Sequence, residues 1–261
     1  MKFNFKSATL LLGLIVSTTF IFSSCKKTND EPEQSTRIKT VVSPDNEVTF
    51  TYNPNGTIKT AAVKNSFSTS GDLITYQLSY NAAGKISEIT SDEDVRIVPI
   101  YTNGVLAEAS FETINGIELF VTTYEYQNGN LVTAEIETAS GQAWTKFMFQ
   151  YNAAGNVTKT ETFLANPLQG NQLEFAGSIA YTYDAKINPL HPAKELMHLL
   201  WIPSSPNNAL NEIHKDSNNE LEETVNYTYQ YNKNNTPKSA VMQSTVVGEQ
   251  PVNTNLTFTY F

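Results

Sequence analysis

Cysteine and histidine are scarce in this chain, and their scarcity excludes several kinds of chemistry. The 261 residues include one cysteine, Cys25, so no internal disulfide can form. The three histidines, His191, His198 and His214, lack the close spacing to further ligands that a zinc site needs. A Gly-x-Ser-x-Gly motif for a nucleophilic serine is also absent. We therefore predict no catalytic residues, no cofactor and no metal.

Basic charge is low as well. The chain carries 17 basic and 26 acidic residues, which gives a net charge of −9. Residues 1–24 contain two of the lysines and no acid, so their removal changes the net charge from −9 to −11. No run of lysine and arginine offsets this charge, and a chain of this sign repels phosphate backbones. We predict that nucleic acid is not a partner.

A long apolar run occurs only near the start of the chain, at 8–22, and it is shorter than the roughly 20 residues of a spanning helix. Two serines separate Phe22 from Cys25 at the end of this segment. The arrangement resembles a bacterial lipobox, although Phe22 stands where an aliphatic residue is usual. The resemblance implies a lipoprotein signal peptide at 1–24, lipidation of Cys25 and an N-terminal lipid anchor in a membrane.

Residues 25–36 follow the signal segment and carry charge and proline without apolar periodicity. We predict a disordered tether there and a single all-β domain over 37–261. Acidic residues just after Cys25 resemble the surface-export signal of Bacteroidota lipoproteins. That resemblance implies attachment to the outer membrane and favours display on the cell surface over a periplasmic location.

One phrase recurs along the rest of the chain: a tyrosine, Asn or Asp, a glycine and an aliphatic residue. Each copy is typical of one strand-turn-strand unit, since Asn-Gly supplies the positive φ angles of hairpin turns. The spacing between copies varies, which favours a meander over a solenoid. The tyrosines that open these units, together with a matching tyrosine near the chain end, are Tyr52, Tyr80, Tyr101, Tyr126, Tyr151, Tyr183, Tyr231 and Tyr260.

Apolar residues alternate with Thr, Ser and Gln in the stretches before these tyrosines. Ile74, Tyr76, Leu78 and Tyr80, for example, share one parity. Such alternation predicts an antiparallel sheet with one packed and one wet face. We predict an all-β fold: an antiparallel meander of about fourteen strands forming a curved or barrel-like sheet, with one short helix near 192–201.

The tyrosine phrase is similar to the YD repeat of RHS-type proteins, with Asn usual here in place of Asp. The chain also resembles Bacteroidota envelope lipoproteins of unknown function, which combine a lipobox with YD-like strands. The late segments 183–189 and 205–208 carry part of this second resemblance. It implies an all-β envelope lipoprotein and supplies no catalytic residue.

Two groups of residues remain as candidates for a site. The acidic runs 92–94 and 220–223 are interpreted as solvated loop acids, with calcium ligands or glycosidase carboxylates as the alternatives. Most aromatic residues follow the strand parity and are interpreted as core. Trp144 follows a glycine in a hairpin and Trp201 follows the predicted helix, so we nominate these two for a ligand-binding surface.

The leading hypothesis is a non-catalytic, lipid-anchored envelope protein that binds a glycan or another surface component. The alternative is a structural or assembly partner of an outer-membrane complex. A polysaccharide-acting enzyme is the third hypothesis. An exposed Trp144 or Trp201 in a groove favours the binding protein. A broad apolar patch favours the assembly partner, and two converging carboxylates favour the enzyme.

Overall fold

The computed structural model describes residues 35–65 and 73–261 of the chain. The predicted signal peptide, Cys25 and residues 26–34 of the predicted tether lie outside the described residues. The described part forms sixteen strands: β1 (Ile38–Val42), β2 (Asn46–Tyr52), β3 (Ile58–Asn65), β4 (Leu73–Tyr80), β5 (Ile86–Ser91), β6 (Val95–Thr102), β7 (Val105–Thr113), β8 (Glu118–Gln127), β9 (Asn130–Thr138), β10 (Ala143–Tyr151), β11 (Val157–Asn166), β12 (Gln172–Tyr183), β13 (Ala209–Lys215), β14 (Leu221–Tyr231), β15 (Pro237–Val246) and β16 (Val252–Tyr260).

The strands form one closed antiparallel barrel in which each strand pairs with its neighbours in sequence. The first and last strands close the ring, because Val41 of β1 is opposite both Val48 of β2 and Phe258 of β16. Closure leaves no unpaired sheet edge to attract another chain. The prediction of an all-β, barrel-like meander is therefore confirmed, with sixteen strands where about fourteen were expected.

The two faces of the barrel wall differ in the way that the alternating sequence predicts. Val48 and Phe50 of β2 are buried, whereas Thr51 between Phe50 and the turn is exposed. Buried side chains of a single closed sheet point into the barrel, so the apolar parity lines the interior and the Thr and Gln parity faces water.

The recurring phrase forms the hairpins at one end of the barrel, which we call the tyrosine end. Gly56 adopts φ +88° and donates a backbone hydrogen bond to Asn53 at 2.9 Å, a conformation that side chains with a Cβ rarely adopt. In the eroded copy after Tyr231, Asn235 takes this place with φ +65°, as asparagine tolerates the left-handed region. The connections at this end are 53–57, 81–85, 103–104, 128–129, 152–156, 184–208 and 232–236.

Phenol groups tie neighbouring hairpins together at the tyrosine end. The Tyr80 hydroxyl donates to the Ile58 carbonyl at 2.8 Å, which places it on the first residue after the preceding turn. Tyr151 makes the same bond to Leu131 at 2.8 Å. This repeated geometry satisfies a phenol hydroxyl and a strand-end carbonyl at once. The remaining bonds of this type run from Tyr52 to Ile38, Tyr101 to Ile86 and Tyr260 to Pro237.

Residues 184–208, between β12 and β13, form a plug segment at the tyrosine end. A 3₁₀ turn at His191–Ala193 leads into the helix α1 (Lys194–Leu199), which confirms the short helix predicted near 192–201. Leu196, Met197 and Leu199 of this helix are buried in the main core of the barrel. A segment of the chain itself thus fills part of the interior, beside the side chains of the wall.

Polar bonds hold the plug segment to the barrel wall. Glu195 accepts hydrogen bonds from the Ile86 amide at 3.0 Å and from the Tyr101 hydroxyl. Tyr126 bonds to Nδ1 of His198 at 3.2 Å. The late segments noted in the sequence meet here: the Ser205 hydroxyl donates to Tyr183 and accepts from the Val157 amide, both at 2.9 Å.

Candidate functional site

The end of the barrel opposite the tyrosine end, here the distal end, has interior side chains of two kinds. It is formed by the connections 43–45, 92–94, 114–117, 139–142, 167–171, 216–220 and 247–251, with 66–72 outside the described residues. An aromatic group lies on β7, β8 and β10. A group of carboxylates, histidine and tyrosine lies on β12, β13 and β14, on another arc of the ring. Together these two groups are the candidate functional site.

The aromatic group contains both tryptophans nominated from the sequence. The Trp201 ring centroid lies 5.3 Å from that of Phe111 and 5.8 Å from that of Phe120. Trp144 meets the same Phe120 edge-on at 6.4 Å. The structure therefore brings the two nominated residues to one aromatic cluster in which both are half-buried. Their contact with a ligand stays a prediction.

Trp201 is fixed more firmly than its place in a loop predicts. Its indole nitrogen donates to the Thr122 hydroxyl at 3.0 Å. The Trp201 backbone has φ +60°, which is unfavourable for a bulky residue. This left-handed residue ends the turn after α1, where the Ile202 amide donates a hydrogen bond to the Met197 carbonyl at 2.9 Å. Packing of the ring against the phenylalanines offsets that strain. Trp201 is thus a structural member of the cluster, and Trp144 is the member nearer a strand end.

Glu212 of β13 is the centre of the polar group. Its side chain is 5% exposed, and it accepts hydrogen bonds from the Tyr227 hydroxyl at 3.0 Å and from Nε2 of His214 at 3.0 Å. Nδ1 of His214 lies 3.9 Å from a carboxylate oxygen of Glu223. Glu223 in turn accepts a hydrogen bond from the Ser244 hydroxyl. A buried carboxylate of this kind needs such partners, because unpaired charge is costly inside a protein.

The pKa values in the polar group follow from these contacts. Burial alone lowers the pKa of His214, but the hydrogen bond to Glu212 and the charges of Glu212, Glu223 and Glu222 outweigh it, so the net pKa is raised. Burial also raises the pKa of Tyr227, with the Glu212 charge acting in the same direction. The site therefore favours an imidazolium between two carboxylates and keeps the phenol protonated.

The acidic runs considered in the sequence are placed differently from one another. Residues 92–94 are exposed in the turn between β5 and β6, in agreement with solvated loop acids. Glu220 is exposed in the turn before β14 and Glu222 is exposed on β14 itself, whereas Glu223 of β14 is half-buried and joins the polar group. The placement of Glu222 and Glu223 in a loop is wrong, because β14 starts earlier than its apolar alternation indicates, and only Glu222 of the two stays solvated.

Sequence reasoning missed Glu212, which the fold places at the centre of the site. The strand β13 gives a misleading local signal, since its apolar residues Leu210 and Ile213 are 39% and 37% exposed. The one sequence feature that could have pointed to a polar interior on this strand is the absence of apolar alternation around Glu212 and His214. In residues 35–65 and 73–261, no group of three or more His, Cys, Asp or Glu side chains is arranged to hold a metal ion. The same ranges contain no helix long and apolar enough to cross a bilayer.

Comparison with known proteins gives a likeness of fold. The sequence matches no family model and no curated protein. Among solved structures, a porin-like protein from Bacteroides uniformis ATCC 8492 is similar, with a TM-score of 0.60 and 16% identity over 86% of this chain and 95% of that chain. A porin-like protein from Bacteroides vulgatus ATCC 8482 has a TM-score of 0.54 and 11% identity over 86% of this chain and 99% of that chain. This barrel therefore shares its fold with two Bacteroides proteins of nearly equal extent.

Proposed function

We propose that this chain is a non-catalytic protein of the cell envelope, held on the outer membrane by lipid on Cys25, that binds a glycan at the distal end of its barrel. The lipobox-like segment before Cys25 supports the anchor. The likeness of fold to porin-like proteins of Bacteroides is compatible with an envelope location. The observation that supports a glycan as the ligand is the presence of aromatic rings and a hydrogen-bonded carboxylate group inside one barrel.

The chemistry of a sugar matches these two groups of side chains. The flat C–H face of a pyranose ring stacks on aromatic rings, for which Trp144 and Phe120 are available near the distal end. Sugar hydroxyls donate to carboxylates and accept from imidazolium, and the half-buried Glu223 and His214 offer these two groups, while the buried Glu212 holds the imidazole in place. Apolar walls with a few converging polar groups are typical of small-ligand sites.

Retention of the protein on immobilised polysaccharides tests the proposed binding of a glycan. The full chain is passed over neutral and acidic polysaccharides and peptidoglycan, with Trp144→Ala and Glu212→Gln as variants and Leu168→Ala, a 95% exposed position, as the control. We expect each site variant to lose at least tenfold in affinity on the retaining matrix while the control is unchanged. Retention that both site variants keep in full, or folded wild-type protein that no matrix retains, overturns the proposal.

Protease shaving of intact cells tests the location. We expect membrane-bound protein to be digested on intact cells, with a periplasmic marker left whole and Cys25→Ala protein released from the membrane. Protection until the outer membrane is breached places the barrel in the periplasm. Membrane attachment that survives Cys25→Ala contradicts the lipid anchor.

A second function is a structural or assembly partner of an outer-membrane complex, and the distal end supplies its supporting observation. Several apolar side chains are exposed around the distal connections, among them Ile117 at 65% and Leu168 at 95%. Exposed apolar patches are typical of protein contacts. In this case Ile117→Asp combined with Leu168→Asp abolishes co-purification with outer-membrane proteins and leaves glycan retention unchanged. A polysaccharide-acting enzyme stays the third proposal, tested by release of reducing ends with wild-type and Glu212→Gln protein.

A further inference from the structure

Basic side chains gather at the tyrosine end although they are scattered in the sequence. They lie on adjacent strands and turns from β14 through β16 and β1 to β5, and on the plug segment that these strands surround. We call this surface the basic arc. Most of its members are exposed, and Lys85 and Lys186 are half-buried. Its members are Arg37, Lys39, Lys59, Lys85, Lys186, Lys194, Lys233 and Lys238.

The acids at the same end are fewer than these cations. Asp184 and Glu195, both half-buried, are held by hydrogen bonds within the plug segment and from the wall. Glu195 also faces Lys85 at 3.5 Å. The exposed acid Glu125 lies near this end on β8, outside the basic arc.

The distal end carries the opposite charge. Its cations are fewer, and two of them, Arg96 and Lys146, are paired with carboxylates. The fold thus separates the charge of an acidic chain into a basic end and a strongly acidic end. The acids at or near the distal connections are Asp45, Glu47, Asp92, Glu93, Asp94, Glu112, Glu118, Glu137, Glu174, Asp216, Glu220, Glu222, Glu223 and Glu249.

The N-terminal side of the barrel starts in the middle of the basic arc. Arg37 precedes β1, its guanidinium lies 5.7 Å from the Tyr52 ring centroid, and its carbonyl accepts from the Phe261 amide at 3.2 Å. Arg37 lies twelve positions after Cys25 in the sequence, a reach of at most about 43 Å. A lipid on Cys25 therefore keeps the basic arc close to the anchoring membrane.

A cavity of about 240 Å³ opens within the same surface. Arg37, Tyr52 and Tyr80 line it on the barrel side, and Pro192 and Glu195 line it on the plug segment. A guanidinium beside apolar and phenolic walls suits an anionic group that carries apolar substituents. A phosphate head group has this chemistry.

We propose that the basic arc docks on the phosphate head groups of an anionic membrane surface, so that the candidate site at the distal end faces away from the membrane. The inference rests on the proposed lipid anchor, which supplies proximity but sets no orientation. Lysine and arginine near an anionic bilayer are each attracted by about 1 kcal/mol. Repulsion of the acidic distal end from the same surface acts in the same direction.

Quenching of a fluorophore by head-group-labelled lipid measures the orientation. Lipidated full-length protein carries a fluorophore on the new cysteine of Ala83→Cys or Ser217→Cys. It is reconstituted in vesicles of phosphatidylglycerol and phosphatidylcholine, or of phosphatidylcholine alone. Both positions are exposed in turns, Ala83 at the tyrosine end and Ser217 at the distal end. We expect quenching at position 83 with anionic lipid at low salt, its loss in 1 M NaCl, and little quenching at position 217.

Two lysines of β3 provide matched variants in the Ala83→Cys background. Lys59 belongs to the basic arc and Lys64 lies at the far end of the same strand, and both are exposed. We expect Lys59→Ala to lower the ratio of docked to undocked protein about fivefold and Lys64→Ala to leave it unchanged. Equal effects of the two variants, or equal quenching at positions 83 and 217, overturn the proposal.

Two further readouts separate membrane docking from phosphate binding and from loss of the anchor. Inorganic phosphate that releases the protein far better than NaCl of equal ionic strength shows that the basic arc binds a free phosphate group, which overturns docking on a membrane surface. Lipidated protein that leaves the vesicles entirely in 1 M NaCl is not held there by its lipid, and this contradicts the anchor in the proposed function. Protein that stays attached but shows no quenching at position 83 contradicts only the docking.

Discussion

The two arcs of the barrel are filled in different ways. From β1 to β10 the interior holds a large apolar core that the plug segment completes with Leu196, Met197 and Leu199. From β12 to β16 the buried apolar cluster is small, and the carboxylate of Glu212 lies buried beside it. The comparison shows that one meander with one alternating pattern can make an apolar arc and a polar arc. What separates them is where the single long connection folds.

Removal of a buried leucine from each arc gives the largest expected difference. Leu199→Ala should lower the free energy of unfolding by about 4 kcal/mol, because Leu199 is fully buried where the plug and wall cannot close the cavity. Leu256→Ala, in the small cluster, should lower it by about 2 kcal/mol. Denaturant unfolding measures both values. Equal losses contradict the view that the arcs are packed differently.

Acid should loosen the plugged arc through His198. Burial, with the charges of Lys194 and His191, lowers the pKa of His198 to about 4, so the histidine is neutral in the folded chain. Its stabilising contribution is complete above pH 6.5 and is lost as the pH falls toward 4, by about 3 kcal/mol. Thermal unfolding at pH 7 and pH 4 measures the loss. The His198→Gln variant should lose less stability over this range, and an identical loss assigns the acid sensitivity to other groups.

The polar arc should respond to Glu212→Gln with the opposite pH signature. Loss of the carboxylate leaves burial dominant, so the pKa of His214 should fall. In the wild type the raised pKa gives stability that is present below pH 6.5 and is lost as the pH rises through the folded pKa. The substitution removes this contribution and weakens bonds worth about 2 kcal/mol. Proton NMR titration of His214 checks the direction, with Glu249→Gln, an exposed acid in a distal connection, as the control. An unchanged His214 pKa in Glu212→Gln contradicts the role of Glu212.

Loss of one phenol hydroxyl gives the smallest expected change in the free energy of unfolding. It tests the tyrosine hydrogen bonds between hairpins, which occur in both arcs. Tyr151→Phe removes the bond to the Leu131 carbonyl and should destabilise the barrel by about 1 kcal/mol. Tyr76→Phe is the control, since the Tyr76 hydroxyl makes no hydrogen bond within residues 35–65 and 73–261. Chemical denaturation of both variants measures the difference. A loss as large for Tyr76→Phe shows that ring packing, and not the hydroxyl, ties the hairpins.

Local chemistry explains what could be predicted from the sequence. The turn before Ile58 needs a positive φ at Gly56, and Val48, Phe50 and Tyr52 share a parity that a strand turns to one face. These features act between residues close in the chain, so hairpins, a packed face and the short helix could be predicted. The candidate site was predicted only through Trp144 and Trp201. Its polar half depends on Glu212, whose partner Tyr227 meets it from the neighbouring strand.

The sequence by itself determined the antiparallel hairpins, the inward aromatic parity and the acidic net charge, because each depends on composition or on neighbours along the chain. Closure of the ring, the position of the plug segment and the partners of Glu212 were decided by the tertiary structure. The same holds for charge: no run of lysine and arginine is present in the sequence, yet the fold places Arg37, Lys85 and Lys238 at one end. Strand ends distant in sequence are neighbours in a closed barrel, and only the fold brings their charges together.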